Sequence, residues 1–255
     1  MNVAICLFGQ PRFFEECSKN ILKIVENNPS CVFDFYCHTW WSENMIGQKY
    51  SGQRQSRWRR DCIKKETPTK LMELYNPKKI KIEEPIDFSQ HKVFKQLVQT
   101  TEYKKMGRYR KQDIPPTLSQ LYSRNSVLNL LIKSEIKYDY VVLVRYDYDG
   151  HDEQQFGEIV NWNFNKLQKK LYVVDDNPAF KSPYFGDMIF VMNYEQINFI
   201  NVFDNILDLM SNDKLKEFIR NEYNIHSSLC VHYLYLLNYI NIFKNLKNVV
   251  FCKNK

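Results

Sequence analysis

Two aspartates one residue apart, Asp147 and Asp149, stand where a sheet-forming segment ends, and carboxylates at that spacing can do metal chemistry. Residues 140–144 are apolar and rich in valine, which predicts a buried strand that ends just before the pair. In open α/β folds, ligands bind at the carboxyl edge of the parallel sheet. The two carboxylates can hold one Mg²⁺ or Mn²⁺ ion, either directly or with one contact through water. Such an ion would neutralise a diphosphate and help it to leave.

The aspartate pair also has an ordinary interpretation, because Asp-x-Asp is short and carboxylates are frequent in loops. Its position at the end of a predicted buried strand makes the metal site about as plausible as a chance occurrence. Arg145, which lies two residues before Asp147, fits both interpretations. It can form a structural ion pair, or it can contact the same anion as the metal.

A second candidate for ligand binding is the segment Gly9-Gln10-Pro11-Arg12, which follows the apolar residues 3–8. A continuous apolar run predicts a buried strand, and nucleotide-binding α/β domains commonly begin with such a strand and a glycine. Gly9 would let the backbone approach a ligand closely, and Arg12 can clamp a phosphate. The same four residues are equally compatible with an ordinary turn.

His38 and Trp40 follow a second predicted strand, residues 31–37. Aromatic rings at the end of a strand can stack on a base or a sugar, which makes His38 a candidate for substrate binding. The alternative is that these rings are packing groups, which is the more common role of half-buried aromatic residues.

Asp187 and Asp176 are candidates for acid–base chemistry. Asp187 precedes the apolar residues 188–192 and follows a glycine-containing loop, a position suited to a general base but equally to a simple strand-end residue. Asp176 follows another predicted strand and is the second choice for the same role. His226 begins an almost wholly apolar predicted helix, where a single histidine is more often structural than a ligand.

A helix over residues 117–134 has to position part of this site. Thr117 and Gln120 fit a capping box after two prolines, with Thr117 as the cap. Asn125 lies in the apolar stripe of this helix, and Arg124 lies beside it. Polar groups near a buried stripe need partners, which the backbone or a ligand at the sheet edge would provide.

The remaining pattern predicts an α/β chain that forms one domain over residues 1–255. An amphipathic helix is expected over residues 13–27, and residues 79–83 alternate as a strand near a sheet edge does. The α/β core is expected to span residues 1–195, and residues 196–255 read as helical.

Composition narrows the class of protein further. The apolar fraction of 44% is enough for a core, and the formal charge of +7 suits a protein that meets anionic ligands such as nucleotides. The basic stretches over residues 54–65 and 104–111 are compatible with loops over a phosphate, but a solvated charged segment is the better interpretation. Nucleic-acid binding is not expected, because these stretches are not interleaved with aromatic residues in a recognisable module.

The cysteines and the first residues of the chain help to predict the cellular compartment of the protein. The seven cysteines are scattered without a Cys-x-x-Cys pair, so neither a zinc site nor a disulfide framework is expected, and a reducing cytoplasm fits best. The start of the chain lacks the pattern of a signal peptide. No apolar run is long enough to predict a transmembrane segment.

Six segments, taken in order, resemble the GT-A fold nucleotide-sugar glycosyltransferases, especially a small group known from viruses and bacteria. The resemblance covers residues 2 to about 195, and the six together are moderately specific. The segments are residues 3–12, 35–40, 75–78, 119–123, 138–147 and 186–190.

The resemblance implies a Rossmann-like sheet that binds a sugar nucleotide, with a UDP-sugar as the expected donor and a glycan or other hydroxyl compound as the acceptor. It also implies a Mn²⁺ or Mg²⁺ ion on the diphosphate. Carried over by position, the residues of the nucleotide pocket and the donor site would be Gly9, Gln10, Arg12, Gln120 and Arg124. The metal ligands would be Asp147, Asp149 and His226, and Asp187 would lie near the acceptor hydroxyl.

The expected function is therefore metal-assisted transfer of a sugar from a nucleoside-diphosphate sugar to a hydroxyl group. In an inverting reaction Asp187 would remove the acceptor proton, whereas in a retaining reaction it would only position the substrate. The alternative is a module that binds a nucleotide sugar or a glycan without turnover.

Overall fold

The computed structural model describes residues 1–50, 61–104, 112, 114–148, 162–175, 185–211, 213 and 249–252. The strands in this part of the chain are β1 (Asn2–Gly9), β2 (Val32–Trp40), β3 (Lys79–Glu83), β4 (Tyr140–Arg145), β5 (Leu171–Asp175), β6 (Phe185–Asn193) and β7 (Val249–Cys252). They form one sheet in the order β3-β2-β1-β4-β6-β5-β7. All pairs are parallel except those of β6, which runs antiparallel to both neighbours. The predicted mixed, mostly parallel sheet is confirmed.

Helices lie on both faces of this sheet. The α-helices of the described residues are α1 (Phe14–Glu26), α2 (Thr67–Tyr75), α3 (Lys92–Leu97), α4 (Thr101–Lys104), α5 (Ile114–Ile132), α6 (Ile197–Ile200) and α7 (Ile206–Ser211). Short 3-10 helices occur at Glu43–Met45, Phe164–Lys166, Tyr194–Gln196 and Phe203–Asn205. Apolar residues of α1 and α2 pack on one face, whereas those of α3, α5, α6 and α7 pack on the other. The predicted α/β class is confirmed.

The central strand β1 shows why the sheet has two cores. Its side chains alternate, so that Val3, Ile5 and Leu7 belong to the core under α1 and α2, and Ala4, Cys6 and Phe8 to the core under α5. All six residues have no exposed surface. A strand covered on both faces has no need of polar residues, which explains the unbroken apolar run in the sequence.

The order of the strands places a topological switch point between β1 and β4. Both strands run parallel to each other, and Phe8 pairs with Arg145 at the carboxyl end of β4. On the other side of β1, Gly9 pairs with Thr39 of β2. The chain leaves β1 toward α1 on one face, whereas α5 enters β4 from the opposite face. A crevice forms where connections diverge in this way, and such crevices hold the ligands of open α/β sheets.

Helix α5 begins earlier than the sequence indicated. It starts at Ile114 rather than after Thr117, so the predicted capping box is wrong. Pro115 and Pro116 occupy its first turn, where a missing N–H has no consequence because these groups have no partner within the helix. Thr117 is therefore a buried residue inside the helix.

Two strands are longer than predicted. Strand β2 continues to Trp40, which places His38 within the strand rather than beyond its end. Strand β6 begins at Phe185, so Asp187 lies inside it, and β7 follows it in the chain. The helix predicted at residues 13–27 and the edge strand predicted at 79–83 are confirmed.

The C-terminal part is described only as far as residue 211, at residue 213 and at β7. Between Tyr194 and Ser211 the chain forms a series of short helical turns, interrupted at Asn201 and Val202, where the sequence predicted a helical C-terminal part. The helix predicted to begin at His226 lies outside the described residues, and β7 is a strand in the part that was predicted to be helical, so the prediction is wrong there. No helix of the described residues is long and apolar enough to span a membrane.

Candidate functional site

The turn after β1 forms one side of the crevice. Gly9 has a φ of 102°, a backbone conformation that favours glycine. Among the described residues, no atom lies within 4 Å of the position that a Cβ on Gly9 would occupy. The backbone therefore borders open space at the carboxyl edge, as a close approach to a ligand requires. The backbone N–H of Arg12 donates to the carbonyl oxygen of Gln10 at 2.8 Å, which closes the turn.

Two arginines converge on Asp147 at the end of β4. Arg145 donates from Nε to Oδ1 at 2.8 Å and from Nη2 to Oδ2 at 2.7 Å, and Arg12 Nη2 lies 2.7 Å from the same Oδ2. The carboxylate side chain is 3% exposed, whereas Arg12 and Arg145 are 17% and 19% exposed. The two guanidinium groups and the carboxylate thus form a partly exposed cluster at the carboxyl ends of β1 and β4.

The two arginines keep Asp147 ionised. Burial by itself would raise the pKa of this carboxyl group. The charges of Arg145 and Arg12, with the Arg145 hydrogen bonds, outweigh burial and lower the pKa below its ordinary value. Asp147 is therefore a charged group that holds the two arginines in place.

These ion pairs bear on the predicted metal site. Both carboxylate oxygens of Asp147 already accept hydrogen bonds from guanidinium groups, so a metal ion at this carboxylate would lie beside two positive charges unless an arginine moved. Across the described ranges, no three His, Cys, Asp or Glu residues come together as metal ligands. Asp149 and His226 lie outside those ranges. The described residues alone do not form a site that fits Mn²⁺ or Mg²⁺, and the metal stays a prediction.

The second side of the crevice is anchored by a chain of hydrogen bonds through α5. The backbone N–H of Gly9 donates to Ser123 Oγ at 2.8 Å. Ser123 Oγ also contacts Nδ1 of His38 at 2.7 Å, and Nε2 of His38 lies 2.7 Å from Oε2 of Glu83. Ser123 and His38 have no exposed surface. This network ties the end of β1 to β2, β3 and α5.

The protonation of His38 follows from its surroundings. Burial lowers its pKa below the ordinary value of 6.5, and the Glu83 carboxylate offsets this effect only in part. The imidazole is therefore neutral, and its Nε2–H donates to Glu83, because a carboxylate can only accept. Nδ1 then accepts from the Ser123 hydroxyl. The His38–Glu83 contact is a hydrogen bond at neutral pH rather than an ion pair.

Glu83 is the charged end of the network. The His38 hydrogen bond, with a further contribution from Lys81, lowers the pKa of this carboxyl group to about 2. Lys81 Nζ lies 2.8 Å from Oε2, and the Tyr122 hydroxyl donates to Oε1 at 3.3 Å. The carboxylate is thus held by three side chains, two of them on β2 and β3 and one on α5.

The chain of contacts from Ser123 through His38 to Glu83 resembles a nucleophilic triad, but its geometry does not allow that role. Ser123 Oγ is enclosed, and it accepts the Gly9 N–H, so a substrate carbonyl cannot reach it. His38 was predicted to contact substrate directly. Both of its ring nitrogens are engaged within the protein, so any effect on a ligand passes through Ser123 and Gly9.

The aromatic residues near His38 are packing groups. Trp40 is 2% exposed and stacks on Tyr122 with ring centroids 5.4 Å apart. Phe88 and Phe203 pack edge-on against the same Tyr122 ring, at 5.7 and 5.3 Å. Trp40 is therefore part of the core, as the packing interpretation predicted.

Arg124 follows Ser123 in α5 and has a different environment from the other arginines. It has no exposed surface, and none of its three guanidinium nitrogens has a hydrogen-bond partner in the described part of the chain. The guanidinium lies over the ring of Phe190, 5.3 Å from its centroid. Its neighbour Asn125, by contrast, donates to Asp204 at 3.1 Å. Gln120 lies one turn earlier in α5 and is half-buried.

The remaining predicted residues are only partly described. Asp187 is a residue of β6 and precedes Ile189 by two positions in the chain. Because Ile189 pairs with Val144 and the two strands are antiparallel, the backbone of Asp187 lies at the carboxyl edge of β4. Asp176 lies outside the described residues. Ser123 and Glu83 received no role from the sequence, although Ser123 stands in one of the six segments. No signal in the sequence indicated that these two residues share one histidine.

Comparison of the sequence with models of known protein families found no match, and comparison with curated proteins found none either. The class of protein therefore has to be argued from the sheet and its crevice.

Proposed function

We propose that the chain is a glycosyltransferase of the GT-A type, which moves a sugar from a nucleoside-diphosphate sugar to a hydroxyl acceptor. The observation that carries the proposal is the pair of arginines, Arg12 and Arg145, held on Asp147 at the switch point of the sheet. A departing nucleoside diphosphate gains negative charge at its bridging oxygen, and positioned guanidinium groups stabilise that charge. The resemblance of the six segments supports the same class.

The crevice suits a diphosphate in three ways. It contains two guanidinium groups, both arginine side chains are partly exposed, and no atom of the described residues fills the space beside the Gly9 backbone. Arginine forms paired hydrogen bonds to phosphate oxygens, so Arg12 and Arg145 can exchange Asp147 for the ligand or contact both. Asp147 is then the group that keeps the arginines oriented before the ligand arrives.

The acceptor would bind on the β6 side of the crevice. We propose Asp187 as the residue that removes the acceptor proton in an inverting reaction, because its backbone lies at the carboxyl edge next to β4. Asp176 is the second choice. Asp147 with Asp149 would take Mn²⁺ or Mg²⁺ if one arginine moved away from Asp147, and we propose a UDP-sugar as the donor.

A second candidate is a module that binds a nucleotide sugar or a glycan without turnover. The observation in its favour is that both oxygens of Asp147 are engaged by arginines. A crevice of this kind can hold a diphosphate without assembling a metal centre.

A transfer assay separates the two candidates. The protein is incubated with a panel of sugar nucleotides and hydroxyl acceptors, with Mn²⁺, with Mg²⁺ and with EDTA, and release of nucleoside diphosphate is measured. The Arg12→Gln variant should lose about a hundredfold to a thousandfold in kcat/KM, the usual effect of removing one donor to a developing charge. Lys19→Gln is the matched control, because Lys19 is exposed on α1.

The outcomes of this assay are distinct. Acceptor-dependent release that falls in Arg12→Gln and not in Lys19→Gln supports the transferase. Binding of a sugar nucleotide without release favours the binding module. Release that is equal in both variants contradicts the role of the arginine pair. Loss of activity in EDTA would support the metal proposal, and full activity in EDTA would remove it.

A further inference from the structure

Arg124 is the least satisfied charged group in the described part of the chain. Its side chain has no exposed surface, and Nε, Nη1 and Nη2 all lack a hydrogen-bond partner among the described residues. The guanidinium group carries five N–H donors and one positive charge. Phe190 contacts the face of the group and provides no acceptor for these donors.

Such an arrangement is costly for a protein in the absence of an anion. Arginine is rarely buried completely unless it is paired, because its charge loses the stabilisation that water provides. An aromatic ring offsets a small part of that loss. A buried unpaired cation in a natural fold therefore indicates that a negative group lies beside it in the functional state.

The position of Arg124 places that negative group at the crevice. Arg124 follows Ser123, whose hydroxyl oxygen accepts the N–H of Gly9 at the end of β1. On the other side, Phe190 pairs with Leu143, two residues before Arg145 in β4. Two residues of a strand span about 7 Å, so the guanidinium lies just below the edge of the sheet.

Arg124 also lies on the same face as Arg145. In β4, Leu143 belongs to the core under α5, whereas Val142 and Val144 belong to the opposite core. Because side chains alternate along a strand, Arg145 projects on the α5 face, toward the side that Arg124 occupies. Arg124 therefore lies on the face of the sheet from which Arg145 projects, and Arg145 joins Arg12 on the carboxylate of Asp147 at the switch point.

We infer that Arg124 binds one phosphoryl group of an anionic ligand at the carboxyl edge of the sheet. A phosphoryl group has several oxygens, which suits a fork of N–H donors and the further guanidinium groups nearby. The inference deepens the proposed function and rests on it for the identity of the ligand, which would be the diphosphate of a sugar nucleotide. Since Arg124 has no exposed surface, the ligand reaches it only when neighbouring groups move.

The test measures anion binding by Arg124 variants in buffer with EDTA, so that no metal contributes. Inorganic phosphate, inorganic pyrophosphate and UDP are titrated by calorimetry into the protein and into its Arg124→Met and Arg124→Lys variants. Lys133→Met is the matched control, because it removes one positive charge from an exposed position just beyond the end of the same helix. Melting temperatures without any anion are recorded for all four proteins.

The inference predicts that Arg124→Met binds pyrophosphate about tenfold to a hundredfold more weakly, as expected for the loss of a hydrogen bond to a charged group. Arg124→Lys should fall between the two, and Lys133→Met should bind as the unchanged protein does. Without anion, Arg124→Met should melt higher than the unchanged protein, because it no longer buries an unpaired charge. UDP that binds more tightly than pyrophosphate, with the same dependence on Arg124, identifies a nucleotide as the source of the phosphoryl group.

Pyrophosphate affinity that is unchanged in Arg124→Met overturns the inference. If that variant does not fold, unchanged affinity in Arg124→Lys does so instead. A lower melting temperature of Arg124→Met together with unchanged affinity would mean that a carboxylate of the chain is the partner. Arg124-dependent binding without transfer from any sugar nucleotide would support the anion site and refute the transferase. Unchanged transfer by Arg124→Met would refute the role of Arg124 and leave the transferase supported.

Discussion

Replacing His38 by glutamine should weaken the pH dependence of folding stability as the pH falls through about 6.5, the ordinary pKa of histidine. The prediction follows from the position of the imidazole, which is completely buried between Ser123 and Glu83. Burial lowers its pKa below 6.5 in the folded protein, whereas the unfolded chain leaves the ring in water. On acidification, the unfolded state therefore takes up a proton that the folded state does not.

The sign and size of the effect follow from this difference. Because the unfolded state binds more protons below its pKa, the free energy of unfolding falls as the pH drops through 6.5. Because one proton is taken up only on unfolding, His38 contributes at most about 1.4 kcal/mol to this loss for each pH unit below 6.5, until the folded imidazole is protonated as well. Glu83 acts at lower pH, because its pKa is lowered from 4.5 to about 2. Its stabilisation is present above about pH 4.5 and is lost as the pH falls toward 2.

The assay is urea unfolding at a series of pH values, followed by tryptophan fluorescence. The quantity compared is the change in the free energy of unfolding with pH, since His38→Gln also lowers stability at every pH. His91→Gln is the matched control, because His91 is only partly buried, whereas His38 is completely buried. Burial is also the main cause that lowers the pKa of His91. Parallel pH curves for the unchanged protein and His38→Gln would refute the assignment of a neutral buried imidazole.

Three further variants test the parts of the crevice. Ser123→Ala removes the acceptor of the Gly9 N–H, and we expect a loss of about 1–3 kcal/mol in the free energy of unfolding, measured in urea. Gly9→Ala places a side chain at a φ of 102°, which should cost about 1–2 kcal/mol and weaken pyrophosphate binding by filling the open space. Asp147→Asn leaves two guanidinium groups without their carboxylate. It should lower stability by about 1–3 kcal/mol, since the arginines are partly exposed, and tighten pyrophosphate binding in EDTA.

Each of these variants has an outcome that contradicts its reasoning. For Ser123→Ala, that outcome is unchanged stability together with an unchanged histidine titration. Gly47→Ala is the control for Gly9→Ala, because Gly47 also has a positive φ, of 81°, and open space around its Cβ position. Equal pyrophosphate binding by both glycine variants would contradict the placement of Gly9 beside the bound anion. Weaker binding by Asp147→Asn in EDTA would contradict the expectation that the carboxylate competes with the anion for the two arginines.

Much of the fold could be predicted because the strands carry strong local signals. The apolar runs of β1 and β4 are long enough and β-branched enough to identify central strands, and Gly9 marks the end of the first. The sequence placed the beginning of α5 too late, because Thr117 fits a capping box. In the structure the helix begins at Ile114, since the first turn of a helix accepts proline and here contains two.

The candidate site was predictable only where its residues stand at the ends of strands. Arg12 follows β1, Arg145 ends β4 and Asp147 follows β4, and the rule for parallel sheets brings these ends together. The partners of His38 could not be found in this way, because Ser123 and Glu83 are far apart in the chain and meet only after α5 packs on the sheet. The lack of a partner for Arg124 is likewise a property of packing, although its position beside an apolar stripe indicated the need for one.

The most direct test of the central claim is a thermal-shift measurement with nucleoside diphosphates and sugar nucleotides, each with Mn²⁺, with Mg²⁺ and with EDTA. A ligand that binds only the folded protein raises the melting temperature in proportion to the logarithm of its concentration once it exceeds the Kd. The account predicts a rise with one nucleoside diphosphate and its sugar nucleotide, a rise that is lost in Arg12→Gln and kept in Lys19→Gln. No rise with any member of the panel, in any of the three buffers, would contradict the claim that this crevice binds a nucleotide sugar.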